Sequence, residues 1–366
     1  MNLETYLQID PYSLTKEKKQ EFLLSELNYL TQKHLTKCSK YERILKAYSN
    51  TDHEFNSLET FPYLPVRLFK EYELKSCEDN EVIKTLTSSG TTSQKVSKIY
   101  LDKETSTLQT KALVKIMQNY LGKQRLPMLI IDTKSILKNR KMFSARGAGI
   151  LGLSTFGRKH TYALNEKMEI DFEGIENFLN EHKNKKIFIF GFTFMIWQYF
   201  HEKLKLHNKN LDLSNAVLIH SGGWKKLVEK AVDNTTFKVS LKEQIGINEI
   251  HDFYGMVEQV GSIFVECNCG YLHAPIFADI LIRDPMTLKP LTNGNEGIVE
   301  VFSILPRSYP GHVLLTEDIG TIIGEDDCLC GKKGKYFKIK GRLPKAELRG
   351  CSDTHAFDAT KDRNES

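Results

Sequence analysis

Three short apolar runs, Met128–Asp132, Lys186–Phe190 and Ala216–His220, recur along the middle of the chain, with longer charged segments of helical spacing between them. Strands that are apolar on both faces must be covered on both faces, so this alternation constrains the chain to βα units around a largely parallel, buried sheet. The clearest intervening segment, Ile170–Glu181, gathers Ile170, Gly174, Ile175 and Phe178 on one side, as a helix lying on that sheet would. Upstream, Leu23, Leu24, Leu27, Leu30, Leu35, Ile44, Leu45 and Tyr48 fall at mixed spacings of three and four among Lys, Glu and Gln, which predicts one long helix or a helical hairpin. Phe61-Pro-Tyr-Leu-Pro65 ends that pattern, since neither proline can continue a helix or pair inside a sheet.

From Ile250 the character changes. Ile263–Glu266, Asp279–Arg283, Gly297–Phe302, Val313–Thr316 and Thr321–Ile323 are short strand-like runs divided by turns such as Asp284-Pro285 and Asn293-Gly294. They predict a β-rich last third, an antiparallel sheet or small barrel packed against the α/β part. The expected organisation is a helical segment over 1–60, an α/β core over 61–249, a β-rich subdomain over 250–352 and a polar tail over 353–366.

With 40% apolar residues in a chain of 366, there is enough core-forming surface for a large unit. The net charge of +5 is spread along the chain, so nucleic acid is not implied. The longest uncharged apolar stretch, Ile187–Phe200, has 14 residues. A membrane span needs about 20, so no integral membrane protein is expected. The N-terminus carries Glu4 and lacks a basic region followed by an apolar one, which predicts a cytoplasmic protein.

Chemistry concentrates in a few places. Thr87-Ser-Ser-Gly-Thr-Thr-Ser-Gln-Lys95 packs six hydroxyls around one glycine, with Lys98 close behind, and such a loop can wrap a polyphosphate through backbone N–H groups, hydroxyls and ammonium groups. Its composition is also that of a surface turn, and the spacing is not a Walker A motif. Downstream come Ser221-Gly-Gly-Trp224, then Asp252-Phe-Tyr-Gly-Met-Val-Glu258, Thr316-Glu-Asp318 and Gly341-Arg342. In that order the series resembles the adenylate-forming superfamily, which couples carboxylic acids to AMP. Leu64-Pro-Val-Arg-Leu-Phe-Lys70, Phe143-Ser-Ala-Arg-Gly-Ala-Gly149 and the stretch from Lys345 to Asp353 narrow the resemblance. They are similar to the acyl-protein synthetase subunit of the bacterial bioluminescent fatty-acid reductase, the LuxE family.

The resemblance implies an α/β fold, the N-terminal core of an adenylate-forming enzyme with a β-rich C-terminal subdomain. It also implies that ATP and Mg2+ activate a fatty acid as acyl-AMP. The acyl group then passes to a cysteine of the protein itself, from which a partner reductase takes it. By position that cysteine is Cys351 in Arg-Gly-Cys-Ser, and the basic Lys345 and Arg349 nearby favour its thiolate. On the same resemblance Ser88, Ser89, Gly90, Thr91 and Thr92 hold the phosphates, and Tyr254, Gly255 and Met256 lie near the adenine. Glu258 binds Mg2+, Asp318 holds the ribose hydroxyls, and Arg342 contacts ribose or phosphate. Two departures are visible. The phosphate lysine is out of register, leaving Lys95 or Lys98 to replace it. Only 24 residues follow Arg342, too few for the mobile lid of the superfamily, so the lid is expected to be absent.

Seven cysteines, four of them in two pairs, read as metal or thiol chemistry and not as a disulfide framework. Glu266-Cys-Asn-Cys-Gly-Tyr-Leu-His273 and Asp327-Cys-Leu-Cys-Gly331 each set thiols on a tight turn, and two such turns can supply a tetrahedral set for structural Zn2+. Five candidates compete for four places. The pattern of some adenylating relatives implies Cys267, His273, Cys328 and Cys330, with Cys269 in place of His273 as the alternative. Unrelated pairs of buried thiols are the competing reading, and Cys38 and Cys77 have no partners in sequence. Arg146 suits either an anion or a structural ion pair, His220 a core hydrogen bond, and Phe190, Phe192, Phe194 and Trp197 either core or an acyl pocket. Two readings compete with the acyl-protein synthetase: an acyl-CoA ligase of the phenylacetate type, and a non-catalytic zinc-bearing scaffold.

Overall fold

A computed structural model describes residues 3–49, 54–88, 95–137, 145–224 and 231–343. Its strands in chain order are β1 (Leu64–Pro65), β2 (Lys84–Thr87), β3 (Lys98–Leu101), β4 (Leu126–Thr133), β5 (Gly157–Leu164), β6 (Ile187–Phe192), β7 (Ala216–Ser221), β8 (Glu249–Tyr254), β9 (Phe264–Glu266), β10 (Leu272–His273), β11 (Ala278–Arg283), β12 (Glu296–Ser303), β13 (Val313–Glu325) and β14 (Lys335–Arg342). Apart from the β2–β3 hairpin they form one mixed sheet, in the order β11-β12-β13-β14-β10-β9-β8-β7-β6-β4-β5, with β1 added beside β13. The half from β5 to β8 is parallel. From β9 onward the order is antiparallel, save for the parallel β1.

The three apolar runs are the centres of β4, β6 and β7, and alternation along them divides the core in two. Met128, Ile130, Phe188, Phe190, Val217 and Ile219 point to one face, where they meet Leu27, Leu108 and Ile116. Leu129, Ile131, Ile187, Ile189, Ala216 and Leu218 point to the other and meet Phe178, Phe200, Phe237 and Leu241. Burying each large side chain contributes roughly 1.5–3 kcal/mol, which is why helices cover both faces of this half. One of those helices, Lys103–Leu121, starts where Asp102 accepts a hydrogen bond from the Thr105 amide at 2.7 Å and stops at Gly122, whose φ of +78° favours glycine. Toward the N-terminus the helices Lys16–Lys37 and Ser39–Lys46 are separated by the single extended residue Cys38. Among the described residues no helix is long and apolar enough to cross a membrane.

Two features differ from the sequence expectation. Val313–Thr316 and Thr321–Ile323 belong to one strand, β13. Register shifts against β14 at Ile319/Gly320 and Ile322/Gly324 break its alternation, so it reads as two pieces. The second is the segment 304–312, which contains two prolines, Arg307, Ser308 and His312 and yet is wholly buried. The Lys16–Lys37 helix covers it. His34 Nε2 lies 3.1 Å from the Pro306 carbonyl, Thr31 Oγ1 lies 3.0 Å from His312 Nε2, and Arg307 pairs closely with Glu26. At Gly311 an added Cβ would sit 2.7 Å from the Glu258 carbonyl oxygen, so this segment presses directly under Glu258.

Candidate active site and metal centre

The parallel strands β6, β7 and β8 all end at one edge of the sheet, where ligands of open α/β sheets bind. Tyr254 is the last residue of β8, and its hydroxyl donates to Asp318 Oδ2 at 2.7 Å. Burial pushes the Tyr254 phenol well up, and the Asp318 carboxylate adds to this, so the hydroxyl stays a donor. Asp318 pairs in register with Arg342 at the end of β14, and Arg342 Nε lies 3.5 Å from Asp318 Oδ1. The Arg342 side chain is 82% exposed, which leaves most of its guanidinium free for an anion. Gly255 follows, and a Cβ there would press on Ile263 Cγ2 at 3.0 Å. Met256 packs with Tyr254 and Val257 against the core of the antiparallel half.

Glu258 lies in the short turn Val257–Gln259 and is 6% exposed. Burial pushes its carboxyl up, while the Ser97 hydroxyl and then the charges of Lys70 and Arg342 pull it back down. Ser97 stands at the foot of the β2–β3 hairpin opposite Ser88. The Ser88 amide donates to the Ser97 carbonyl at 3.1 Å, and the Ser97 amide donates to Ser88 Oγ at 2.9 Å. The root of the Ser/Thr/Gly loop thus lies beside Glu258. Ser89, Gly90, Thr91 and Thr92 lie outside the described residues, as does Cys351. Lys95 is turned to Glu71, with Nζ 2.9 Å from Oε2 and both side chains exposed. Sequence reasoning did not single out Ser97; its mirror position to Ser88 across the loop was the available signal.

The second cluster is built on the two cysteine turns. Each closes with a hydrogen bond between residues three apart, Gly270 N to Cys267 O and Gly331 N to Cys328 O, both 2.9 Å. Gly270 and Gly331 each have a φ of +80°, a conformation that costs a side-chain-bearing residue about 1 kcal/mol or more. Cys267, His273, Cys328 and Cys330 meet there with their ligand atoms within 4.8 Å of one another. Cys267 Sγ and Cys328 Sγ are 3.9 Å apart, close to the ~3.8 Å edge of a tetrahedron with metal–sulfur bonds of about 2.3 Å. His273 Nε2 is 3.4 Å from Cys330 Sγ. Burial, with Lys332 and Lys19 adding, lowers the His273 imidazole to about 4, so it is neutral as a metal ligand must be. Cys269 is exposed and outside this group.

The remaining candidates fall into the framework. Arg146 Nε pairs with the buried Asp132 Oδ2 at 2.9 Å. His220, 3% exposed, lies 3.0 Å from Thr193 Oγ1, and burial lowers it to about 3. Phe190 is core, and Phe192 packs over Gly149 and Gly222 at the sheet edge.

The profile of the family described as acyl-protein synthetase, LuxE, matches residues 3–358. A long-chain-fatty-acid–luciferin-component ligase of Vibrio harveyi is 26% identical over 318 residues, covering 83% of this chain and 80% of that protein. The ligase of the same name from Aliivibrio fischeri is 28% identical over 197 residues, covering 50% of this chain and 49% of that protein. Among solved structures, an open conformation of 2-hydroxyisobutyryl-CoA ligase, in complex with 2-HIB-AMP and CoA, superposes with a TM-score of 0.69 over 92% of this chain and 77% of that one, at 14% identity. The fold is therefore that of the adenylate-forming ligases, and over nearly its whole length the chain belongs to the LuxE family of acyl-protein synthetases.

Proposed function

We propose that this protein activates a long-chain fatty acid with ATP and then carries the acyl group on Cys351 for a partner acyl reductase. The observation that supports the first step is the convergence of Tyr254, Asp318 and Arg342 beside the buried Glu258. Asp318 offers the two hydrogen-bond-accepting oxygens that a ribose diol needs, Arg342 a cation for phosphate, and Glu258 a hard oxygen ligand for Mg2+. Mg2+ bound with ATP supplies charge that offsets the negative charge growing on the leaving pyrophosphate. Ser88 to Thr92 are the phosphate-binding residues in this reading. A carboxylate oxygen attacks the α-phosphorus and pyrophosphate leaves; the Cys351 thiolate then attacks the acyl carbonyl and AMP leaves.

Cys267, His273, Cys328 and Cys330 hold one structural Zn2+ in the same proposal. The donor set fits: three soft sulfurs and a neutral imidazole fill a tetrahedron and leave no open position. Burial first, and the neighbouring thiols with it, pushes the Cys328 and Cys330 thiols up, an arrangement that a cation would relieve.

Separating the two half-reactions tests the proposal. Cys351→Ser should keep acid-dependent pyrophosphate exchange into ATP and lose the hydroxylamine-labile acyl adduct that mass spectrometry finds on the wild-type peptide. Cys38→Ser and Cys77→Ser should keep both. An adduct that persists in Cys351→Ser would place the thioester elsewhere, and coenzyme A ligation without any protein adduct would make this an acyl-CoA ligase.

A further inference from the structure

The stretch Leu64-Pro-Val-Arg-Leu-Phe-Lys70 is distant in sequence from Tyr254, Glu258, Asp318 and Arg342, yet the fold brings it alongside the strand that carries Asp318. β1 runs parallel to β13, pairing Leu64 with Leu314 and Pro65 with Leu315, and the Val66 amide donates to the Leu315 carbonyl at 2.8 Å. The chain leaving β1 therefore climbs alongside the part of β13 that leads to Asp318. It turns at once into the one-turn helix Leu68–Glu71. Phe69 anchors that turn, 2% exposed and edge-on to Tyr309 with ring centroids 6.1 Å apart, in the same core cluster as Ile99 of β3 and Leu314 of β13. Tyr254 and Met256 pack against this cluster. The next residue but one, Glu71, takes Lys95 at the end of the Ser/Thr/Gly loop.

Lys70 lies between these two anchors. Its ammonium group makes no ion pair with any described residue, although its charge reaches Glu258. The two lysines nearer the loop in sequence are placed differently. Lys95 is paired on the surface with Glu71. Lys98 alternates along β3 with the buried Ile99 and so faces away from the core that Phe69 shares.

We propose that Lys70 is the phosphate-binding cation of this site. It contacts the α-phosphoryl group of ATP and of the acyl-adenylate, a role that rests on the adenylation reading. As carboxylate oxygen bonds to the α-phosphorus and the bond to the β-phosphate breaks, negative charge on the transferring group grows, and an ammonium whose charge reaches Glu258 stabilises it. A compact ammonium suits this better than a planar fork, because it acts as a point charge.

Lys70→Met, Lys70→Arg and Lys95→Met, each in the full chain, provide the test. With MgATP as the varied substrate and a saturating fatty acid, Lys70→Met should lower kcat/KM for pyrophosphate exchange at least about tenfold at an unchanged melting temperature. Lys70→Arg should recover part of that loss, and Lys95→Met, whose ammonium is paired with Glu71 at the surface, should lose clearly less than Lys70→Met. Titration with MgATP alone, without acid, should show the same order of weakened binding. Lys70→Met exchanging and binding MgATP like the wild type would overturn the inference, as would a fall in its melting temperature that accounts for the loss. Wild-type protein that binds MgATP but exchanges with no acid tested would remove the adenylation reading and leave Lys70 to be judged on binding; wild-type protein that does not bind MgATP would remove both.

Discussion

Tyr254 and Asp318 make the strongest polar contact of the candidate site, and their energetics can be separated. Asp318→Asn keeps the size of the side chain but replaces one acceptor oxygen with a donor, so it should lower kcat/KM for ATP in pyrophosphate exchange at least tenfold, about 1.4 kcal/mol. Tyr254→Phe removes one hydrogen bond to a carboxylate, a contact of roughly 1.5–3 kcal/mol, but leaves both Asp318 oxygens free for ligand. It should reduce stability more than activity. If both variants exchange within about twofold of wild type, ribose is held elsewhere. His220 gives a residue-scale prediction with a defined sign. Burial lowers its folded-state value to about 3, below the ordinary ~6.5, so the native state binds fewer protons than the unfolded chain and stability is lost as pH falls below 6.5. His220→Asn can still accept from Thr193 and does not titrate. Denaturant unfolding of both proteins between pH 7.5 and 5.5 should show the variant's deficit shrinking by about 1.4 kcal/mol in all across that window, most of it below pH 6.5. A deficit that is constant across that window would contradict the neutral, buried imidazole.

At the scale of elements, the cysteine turns do more than collect thiols. Asp326, just before the second turn, accepts from the Lys16 amide at 2.8 Å and the Gly334 amide at 2.7 Å. Lys333 donates its amide to the Tyr12 carbonyl at 2.9 Å, and Lys332 sits over the Tyr12 ring with Nζ 4.8 Å from its centroid. The segment that opens the Lys16–Lys37 helix is thus fastened to the hairpin that carries Cys328 and Cys330. Because ligation couples metal to folding, Cys328→Ser with Cys330→Ser should abolish the zinc found by elemental analysis and lower the melting temperature. Amide hydrogen exchange over residues 10–19 should speed up in the same variant. Wild-type protein purified without chelator and free of zinc would contradict the metal proposal, and unchanged exchange over 10–19 in zinc-free variant would contradict the coupling.

Elements also show what a sequence can and cannot display. The two cysteine turns were legible because Cys-x-Cys-Gly is a local pattern and the glycines supply the backbone it needs. β4, β6 and β7 were legible because burial on both faces leaves an uninterrupted apolar run. The buried segment 304–312 was not, since Pro, Arg, Ser and His form no apolar pattern and are satisfied only by His34, Thr31 and Glu26 of a distant helix. Lys70 was hidden for a similar reason: only the pairing of β1 with β13, some 250 positions apart, brings it to the site.

For the whole molecule, a single sheet joins a parallel half, which ends in Tyr254, to an antiparallel half, which brings Asp318 and Arg342 to the same place. Glu258 lies on the connection between the halves, and the root of the Ser/Thr/Gly loop stands beside it. In the proposed reading, a site assembled in this way adenylates the acid before any thiol chemistry begins. The most direct measurement is therefore acid-dependent exchange of radiolabelled pyrophosphate into ATP by the wild-type protein, across a series of fatty acids and short-chain carboxylic acids, with Glu258→Ala alongside. The expected result is exchange that depends on a long-chain acid and falls at least about tenfold in Glu258→Ala. Absence of exchange with every acid, or equal exchange by Glu258→Ala, would contradict it.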